Sequence, residues 1–218
     1  MATITCNCGA VQIEFDSGTD LFRLQCCCHD CSAALWYASK RGGPAPPTHQ
    51  CVDNSWLPND FRIVRGEHQI GAFMNFENAD TTRFYCKDCW SILFGDHPVY
   101  EKKVVVTTAR NYKEYEGLTN ATLMPPQARH FMKDLTQDQI AALPAWDGDA
   151  SNVYQGVADI LMSRFPEIQA ADNEGEQMNA QILLAKVGEP FVPTDESRLT
   201  SGPPTLMQQA ASEAGDSA

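Results

Sequence analysis

Nowhere in this 218-residue chain does an apolar run reach the roughly 20 residues that a membrane-spanning helix needs. The first residues, Met-Ala-Thr-Ile-Thr, have neither the basic start nor the apolar centre of a secretory leader. Both absences lead to the expectation of a cytoplasmic protein with no membrane partner, the nucleus staying open as a location. Positive charge is scarce too. Against 28 Asp and Glu stand 16 Lys and Arg, for a net charge of -12. A surface of that sign repels phosphate backbones, so nucleic acid is not an expected partner. Much of the acidic excess comes late, at Glu167, Asp172, Glu174, Glu176, Glu189, Asp195, Glu196, Glu213 and Asp216, which leaves the earlier part nearer neutrality. Internal repeats are absent, and the sequence allows a homo-oligomer without requiring one.

Cysteine, by contrast, is abundant. The nine cysteines are an odd number, which suits a fully disulfide-bonded framework poorly, and in a reducing compartment they stay available to a metal. Seven fall into three groups: Cys6-Asn7-Cys8, Cys26-Cys27-Cys28-His29-Asp30-Cys31 and Cys86-Lys87-Asp88-Cys89. Thiolates one or three residues apart on a turn can converge on one ion, but are too close for a relaxed disulfide. With Cys26, Cys28 and Cys31 as the middle ligands, the groups divide into a set of four and a set of three.

Around these groups the chain reads as short strands and turns. Thr3–Thr5 precedes the first cysteine turn, and Val11, Ile13 and Phe15 alternate with polar residues, as do Phe22 and Leu24. Ala34–Ala38, Phe61–Val64, Thr82–Tyr85, Ser91–Phe94 and Val104–Thr108 are further expected strands, so each cysteine group falls at a strand end or hairpin turn. Between Ser39 and Asp60 the density of Pro and Gly predicts an irregular loop, either a wall beside the site or a surface excursion. Short helices are expected over Leu135–Leu143, capped by Asp134 or Thr136, over Ser151–Arg164 and over Glu176–Val187. The cysteine-bearing β part is expected to give way to a helical extension over 149–192 and an acidic disordered tail over 193–218.

Cys6, Cys8, Cys86 and Cys89 can form a closed four-thiolate zinc site joining the first hairpin to a distant strand. Its binding energy would be folding energy, on the order of 10 kcal/mol. The bland reading, four unrelated buried thiols, fits the paired spacings poorly. Cys26, Cys28 and Cys31 leave a fourth position for water, a substrate thiolate, His29 or Cys51. An open position means chemistry, whereas closure by Cys51 or a histidine means a second structural site. In an extended segment Cys27 points away from its neighbours, as a spare thiol or a substitute ligand.

The order C-x-C, C-x-C-x-x-C, C-x-x-C resembles the glutathione-dependent formaldehyde-activating enzyme family, which includes centromere protein V. The carrying residues are Cys6-Asn7-Cys8-Gly9, Cys26 to Cys31 and Arg83-Phe84-Tyr85-Cys86-Lys87-Asp88-Cys89, with His130-Phe131 and Leu143-Pro144-Ala145-Trp146 downstream. The resemblance covers residues 1 to 148 and implies a mainly β, two-zinc antiparallel fold with a structural zinc on Cys6, Cys8, Cys86 and Cys89. It implies a catalytic zinc on Cys26, Cys28 and Cys31, and a carbon–sulfur lyase activity joining glutathione to formaldehyde as S-hydroxymethylglutathione. Three features depart from the family pattern. Cys27 replaces a frequent His, Trp90 stands where a Gly usually follows the last cysteine, and the Ser39–Asp60 loop is long. Trp90 in that place calls for a different backbone or a reshaped pocket wall.

The function expected is therefore a zinc-dependent carbon–sulfur lyase or thiol-adduct enzyme taking glutathione and a small aldehyde or other electrophile. His29 is the candidate acid, and Lys40 and Arg41 the candidate cations for the anionic thiol. One alternative is a tailoring lyase or isomerase of a larger metabolite, with Trp36, Tyr37, Trp56 and Trp90 forming an aromatic pocket. The other is a non-catalytic zinc module for protein interaction. An accessible metal site at the base of a pocket separates the enzymes from the module.

Overall fold

The computed structural model describes residues 1–109, 117–169 and 177–193. Strand β2 (Gln12–Phe15) buries Ile13 and Phe15 while Gln12 and Glu14 stay partly exposed, as the alternation requires. It pairs antiparallel with β1 (Ala2–Thr5), and β5 (Phe61–Arg65) and β10 (Gly117–Thr119) complete a four-stranded sheet in the order β10-β1-β2-β5. The second sheet comprises β3 (Phe22–Cys26), β4 (Val52–Pro58), β6 (Ile70–Phe73), β7 (Thr82–Cys86), β8 (Ile92–Asp96), β9 (Val104–Thr108) and β11 (Ala128–His130). Its order is β11-β3-β4-β9-β8-β7-β6, antiparallel throughout except for the parallel β11–β3 pair. The protein is thus mainly β, with short helices at its edges.

The largest core lies between the sheets, where Ile4, Ile13 and Phe15 meet Phe61, Phe84 and Phe94. The Phe61 and Phe94 ring centroids are 5.1 Å apart, and Phe15 sits 5.5 Å from Phe61. Each fully buried Phe contributes about 1.5–3 kcal/mol. Residues beyond 148 enter this core. Met178 exchanges backbone hydrogen bonds with Phe61, and the Ala180 N–H donates to Asn59 Oδ1 at 2.8 Å. Leu183, on helix α4 (Ala180–Val187), is fully buried. The 180–187 stretch of the expected third helix is therefore helical, whereas Glu176 lies outside the described residues. Most of the expected acidic tail, residues 194–218, lies outside them as well.

Three sequence expectations are overturned. Ala34–Ala38 is not a strand but part of helix α1 (His29–Lys40). The aromatic pair Trp36-Tyr37 suggests β structure, yet Ala33, Ala34 and Ala38 favour helix, and Ala34, Leu35, Tyr37 and Ala38 bury one face against Phe73, Tyr85 and Ile92. The Ser39–Asp60 segment is irregular only in its first part, because Val52–Pro58 is β4, an interior strand of the large sheet between β3 and β9. Its polar residues disguise it, and each has a partner. Asp53 pairs with Arg23, Ser55 Oγ donates to Asp20 Oδ2 at 3.1 Å, and Asn54 Oδ1 accepts from the Thr108 hydroxyl at 3.2 Å. Finally, Ser151–Arg164 is not one helix. Backbone bonds from Phe131 and Met132 to the Gly156 and Tyr154 carbonyls keep 153–156 out of a helix, and helix α3 starts only at Asp159 and ends at Arg164. Helix α2 (Gln137–Ala141) has the expected Thr136 cap, with Gln139 completing a capping box.

Candidate metal centres and an adjoining cavity

Strand β1 ends at Thr5 and β7 at Cys86, which brings the turns carrying Cys6, Cys8, Cys86 and Cys89 together. The four Sγ atoms lie within 4.8 Å of one another, with Cys6–Cys8 at 3.5 Å and Cys8–Cys86 at 3.8 Å. Tetrahedral thiolates about 2.3 Å from a zinc ion sit about 3.8 Å apart, so this donor set fits zinc. The Val11 N–H donates to Cys6 Sγ at 3.2 Å, and Ser91 Oγ lies 3.1 Å from Cys89 Sγ and accepts from the Asn7 N–H at 2.9 Å. The contact with Cys6 holds the Cys89 thiol down at about 4, while that same contact and burial drive Cys6 up; burial pushes Cys86 up to about 11. Without a cation the cluster keeps only part of its negative charge, and a divalent ion would let all four ligands ionise.

Cys26 closes β3, and Cys28 caps α1, its Sγ accepting from the Cys31 N–H at 3.3 Å. The Cys26, Cys28 and Cys31 Sγ atoms also lie within 4.8 Å of one another, and no fourth Cys, His, Asp or Glu among the described residues joins them. Placement at a helix N-terminus favours thiolate. The Cys31 thiol is held well below its usual range by the neighbouring Cys26 and Cys28 thiols, with help from the Arg83 guanidinium and from Asn54, whose Nδ2 lies 3.7 Å from its Sγ. Arg83 is itself buried and ion-paired with Asp30 in the first turn of α1, and Asn75 Nδ2 donates to Asp30 Oδ1 at 2.6 Å. These bonds lock the start of the helix to the sheet.

Cys26, Cys28 and Cys31 line a cavity of about 450 Å³, whereas none of the four clustered cysteines does. Its floor is the face of the large sheet around Asn54, Trp56 and Val106; the start of α1 forms one side and α3 another. His130 lines it too. The parallel β11–β3 register sets His130 opposite Cys26, and both ring nitrogens are buried without a hydrogen-bond partner. Burial pushes the imidazole down to about 4, leaving it uncharged at neutral pH.

A family model described as glutathione-dependent formaldehyde-activating enzyme matches residues 1–134. The chain belongs to that family. No curated protein matches it. Among solved structures, a Rhodobacter sphaeroides protein is 20% identical, with a TM-score of 0.34 over 52% of this chain and 88% of the other. A likeness that slight carries no statement about shared geometry.

Within this glutathione-dependent formaldehyde-activating fold, the residues singled out by sequence beyond the seven clustered cysteines scatter. The Cys27 side chain does point away from the three-cysteine group, into a small apolar cluster with Met132 and Leu135 where it contacts Cys51. Cys51 is therefore turned towards Cys27 instead of filling the fourth position. His29 is exposed at the first position of α1, its N–H 3.4 Å from Asp134 Oδ2, and does not line the cavity. Lys40 ends α1, about 17 Å from its start at 1.5 Å per residue. The Arg41 guanidinium lies 3.6 Å from the Tyr37 ring centroid and 5.4 Å from that of Trp90. Trp56 alone of the four expected aromatic residues lines the cavity. Trp90 needs neither a new backbone nor a place in the wall. It keeps the left-handed φ, at 53°, that glycine supplies in such turns, and stacks on Tyr85 with centroids 4.4 Å apart. That stacking, about 0.5–1.5 kcal/mol, offsets much of the roughly 1–2 kcal/mol backbone cost. Sequence reasoning missed His130, Asn54 and Arg83 as site residues. The family segments Arg83 to Cys89 and His130-Phe131 gave the signal for Arg83 and His130, and Asn54 had none.

Among the described residues, no helix is long and apolar enough to cross a membrane.

Proposed function

We propose that this protein is a zinc-dependent carbon–sulfur lyase that forms and cleaves adducts between a thiol and a carbonyl carbon beside Cys26, Cys28 and Cys31. Glutathione is the thiol indicated by the family description. The observation carrying the reading is that these three thiols, with no fourth ligand among the described residues, line a cavity that also holds an unpartnered buried imidazole. A non-catalytic module would have both clusters covered by protein. Thiolate-only donor sets suit zinc, with Cys6, Cys8, Cys86 and Cys89 holding the structural ion and Cys26, Cys28 and Cys31 the catalytic one.

Zinc, when bound by three ligands, supplies Lewis acidity at its open position and lowers the pKa of a thiol there. The chain does the rest. Asn54 and Arg83 stabilise negative charge on Cys31, and Trp56 and Leu161 keep water from the apolar wall. A neutral imidazole carries a proton on one nitrogen and a lone pair on the other. His130 takes up the thiol proton on one ring nitrogen and delivers a proton from the other to the carbonyl oxygen. The sulfur–carbon bond forms as the carbon–oxygen π bond opens, and the reverse sequence releases thiol and carbonyl without net oxidation. His130 in this reading takes the role first assigned to His29.

The test is the rate at which glutathione exchanges with formaldehyde in S-hydroxymethylglutathione, read by exchange NMR with and without protein. Acceleration that falls on the order of 100-fold in His130→Ala, and not in His29→Ala, supports the reading. A rate equal to that without protein refutes it.

A further inference from the structure

We propose that the carbonyl substrate is a large, uncharged, apolar aldehyde or ketone whose hydrophobic body fills the cavity, in preference to a one-carbon aldehyde; this rests on the carbon–sulfur reading above. The cavity has a polar inner end, with Cys28, Cys31, Asn54 and His130, and a mouth where exposed apolar side chains outnumber Asn78 and Asp80. Phe76, Val99, Val157 and Met162 line that mouth while remaining 40%, 47%, 42% and 58% exposed. They are half of the eight large hydrophobic side chains that stand exposed among the described residues, gathered at one opening. Apolar surface left in water costs free energy that a ligand recovers by covering it. Formaldehyde has no hydrocarbon body with which to do so.

Size and charge agree. A volume of about 450 Å³ falls in the roughly 300–1,000 Å³ range of pockets for drug-sized ligands. The one side-chain cation lining the cavity among the described residues is Arg83, already paired with Asp30. Asp80 adds an exposed carboxylate near His97 at the lining. An anionic tail would find no counter-ion, and a cationic one only Asp80, which is solvated at the rim and faces His97, so the body is uncharged. The origin of the wall points the same way. The family match ends at residue 134, yet Val157, Leu161 and Met162 come from the segment after it. The inner end lies within the family match, and the segment after it joins Phe76 and Val99 in shaping the substrate's outer half.

The reaction stays the same. The thiol sulfur bonds to the carbonyl carbon, the π bond opens, and the thiol proton ends on the oxygen.

The test compares glutathione adduct exchange for formaldehyde, hexanal and phenylacetaldehyde with the full chain, together with binding of 2-phenylethanol, which cannot react, read from Trp fluorescence. We expect kcat/KM at least tenfold higher for the two larger aldehydes than for formaldehyde, and saturable binding of the alcohol. Met162→Glu, an exposed position that the fold tolerates, lowers the ratio of hexanal to formaldehyde kcat/KM at least fivefold. Equal or better turnover of formaldehyde, or a ratio unmoved by Met162→Glu, overturns the substrate assignment and leaves the carbon–sulfur reading standing. No acceleration with any aldehyde, while the alcohol still binds, sinks the carbon–sulfur reading and supports only the apolar ligand. Neither acceleration nor binding sinks both.

Discussion

Two cysteine clusters in one chain, each with its Sγ atoms within 4.8 Å of one another, sit in opposite surroundings. The four-cysteine cluster joins two hairpin turns that are distant in sequence, and its neighbours are backbone amides and Ser91. The three-cysteine cluster sits where a strand runs into a helix, backed by Arg83 and Asn54 and facing a cavity with His130. Ligand count alone does not separate the roles, since a fourth ligand can come from anywhere. On the reading proposed above, what separates them is what each cluster would lose on removal: the first a link between sheets, the second a reactive position.

The largest effect expected is therefore on the closed cluster. Cys86→Ala removes one of four ligands and should abolish folding, since structural zinc contributes on the order of 10 kcal/mol. A cooperative melting transition in the purified variant would break the distinction between the clusters. Truncation after Asp149 comes next. It strips Met178, Ala180 and Leu183 from the main core, and Leu183→Ala alone should cost about 2–5 kcal/mol in denaturant unfolding. A soluble, cooperatively folding 1–149 fragment would show that the core closes without its extension.

The β scaffold was legible because alternation at Ile13 and Phe15 or Phe22 and Leu24 reports one buried face directly. The two cysteine groups were legible because spacing and thiol chemistry are local properties. Strand β4 was not, because it is buried through tertiary partners such as Arg23 and Asp20 that composition does not reveal. Helix α1 was missed for a related reason. Its cap is a cysteine, which is not among the usual capping residues, so the start signal lay inside the metal motif itself. His130 stood in a family segment, His130-Phe131, that gave it no role. It becomes a site residue only when the parallel β11–β3 pairing sets it opposite Cys26.

A smaller effect sharpens the comparison on the open side. The folded-state pKa of His130, about 4, lies below the 6.5 of an unfolded histidine, so the unfolded chain binds the proton first. Stability from this group is complete above about pH 6.5 and is lost as pH falls towards 4, roughly 3 kcal/mol in all. Denaturant unfolding of wild type and His130→Asn at pH 7 and pH 5 should converge at the lower pH; an unchanged gap contradicts the buried neutral imidazole. Smallest of all is Cys27→Ser. The side chain faces Cys51, away from the three-cysteine group, so exchange activity should stay within about twofold while stability falls by about 1–3 kcal/mol. Loss of metal from this variant would place Cys27 among the ligands.

The division of labour is tested most directly by zinc content and thermal unfolding of freshly purified, reduced wild type and Cys28→Ser. The expected result is close to two zinc ions per wild-type chain and close to one in the variant. The variant should also melt cooperatively within a few degrees of wild type and show no adduct exchange. A variant that unfolds outright, or that keeps both ions and full activity, contradicts the assignment of one cluster to the fold and the other to chemistry.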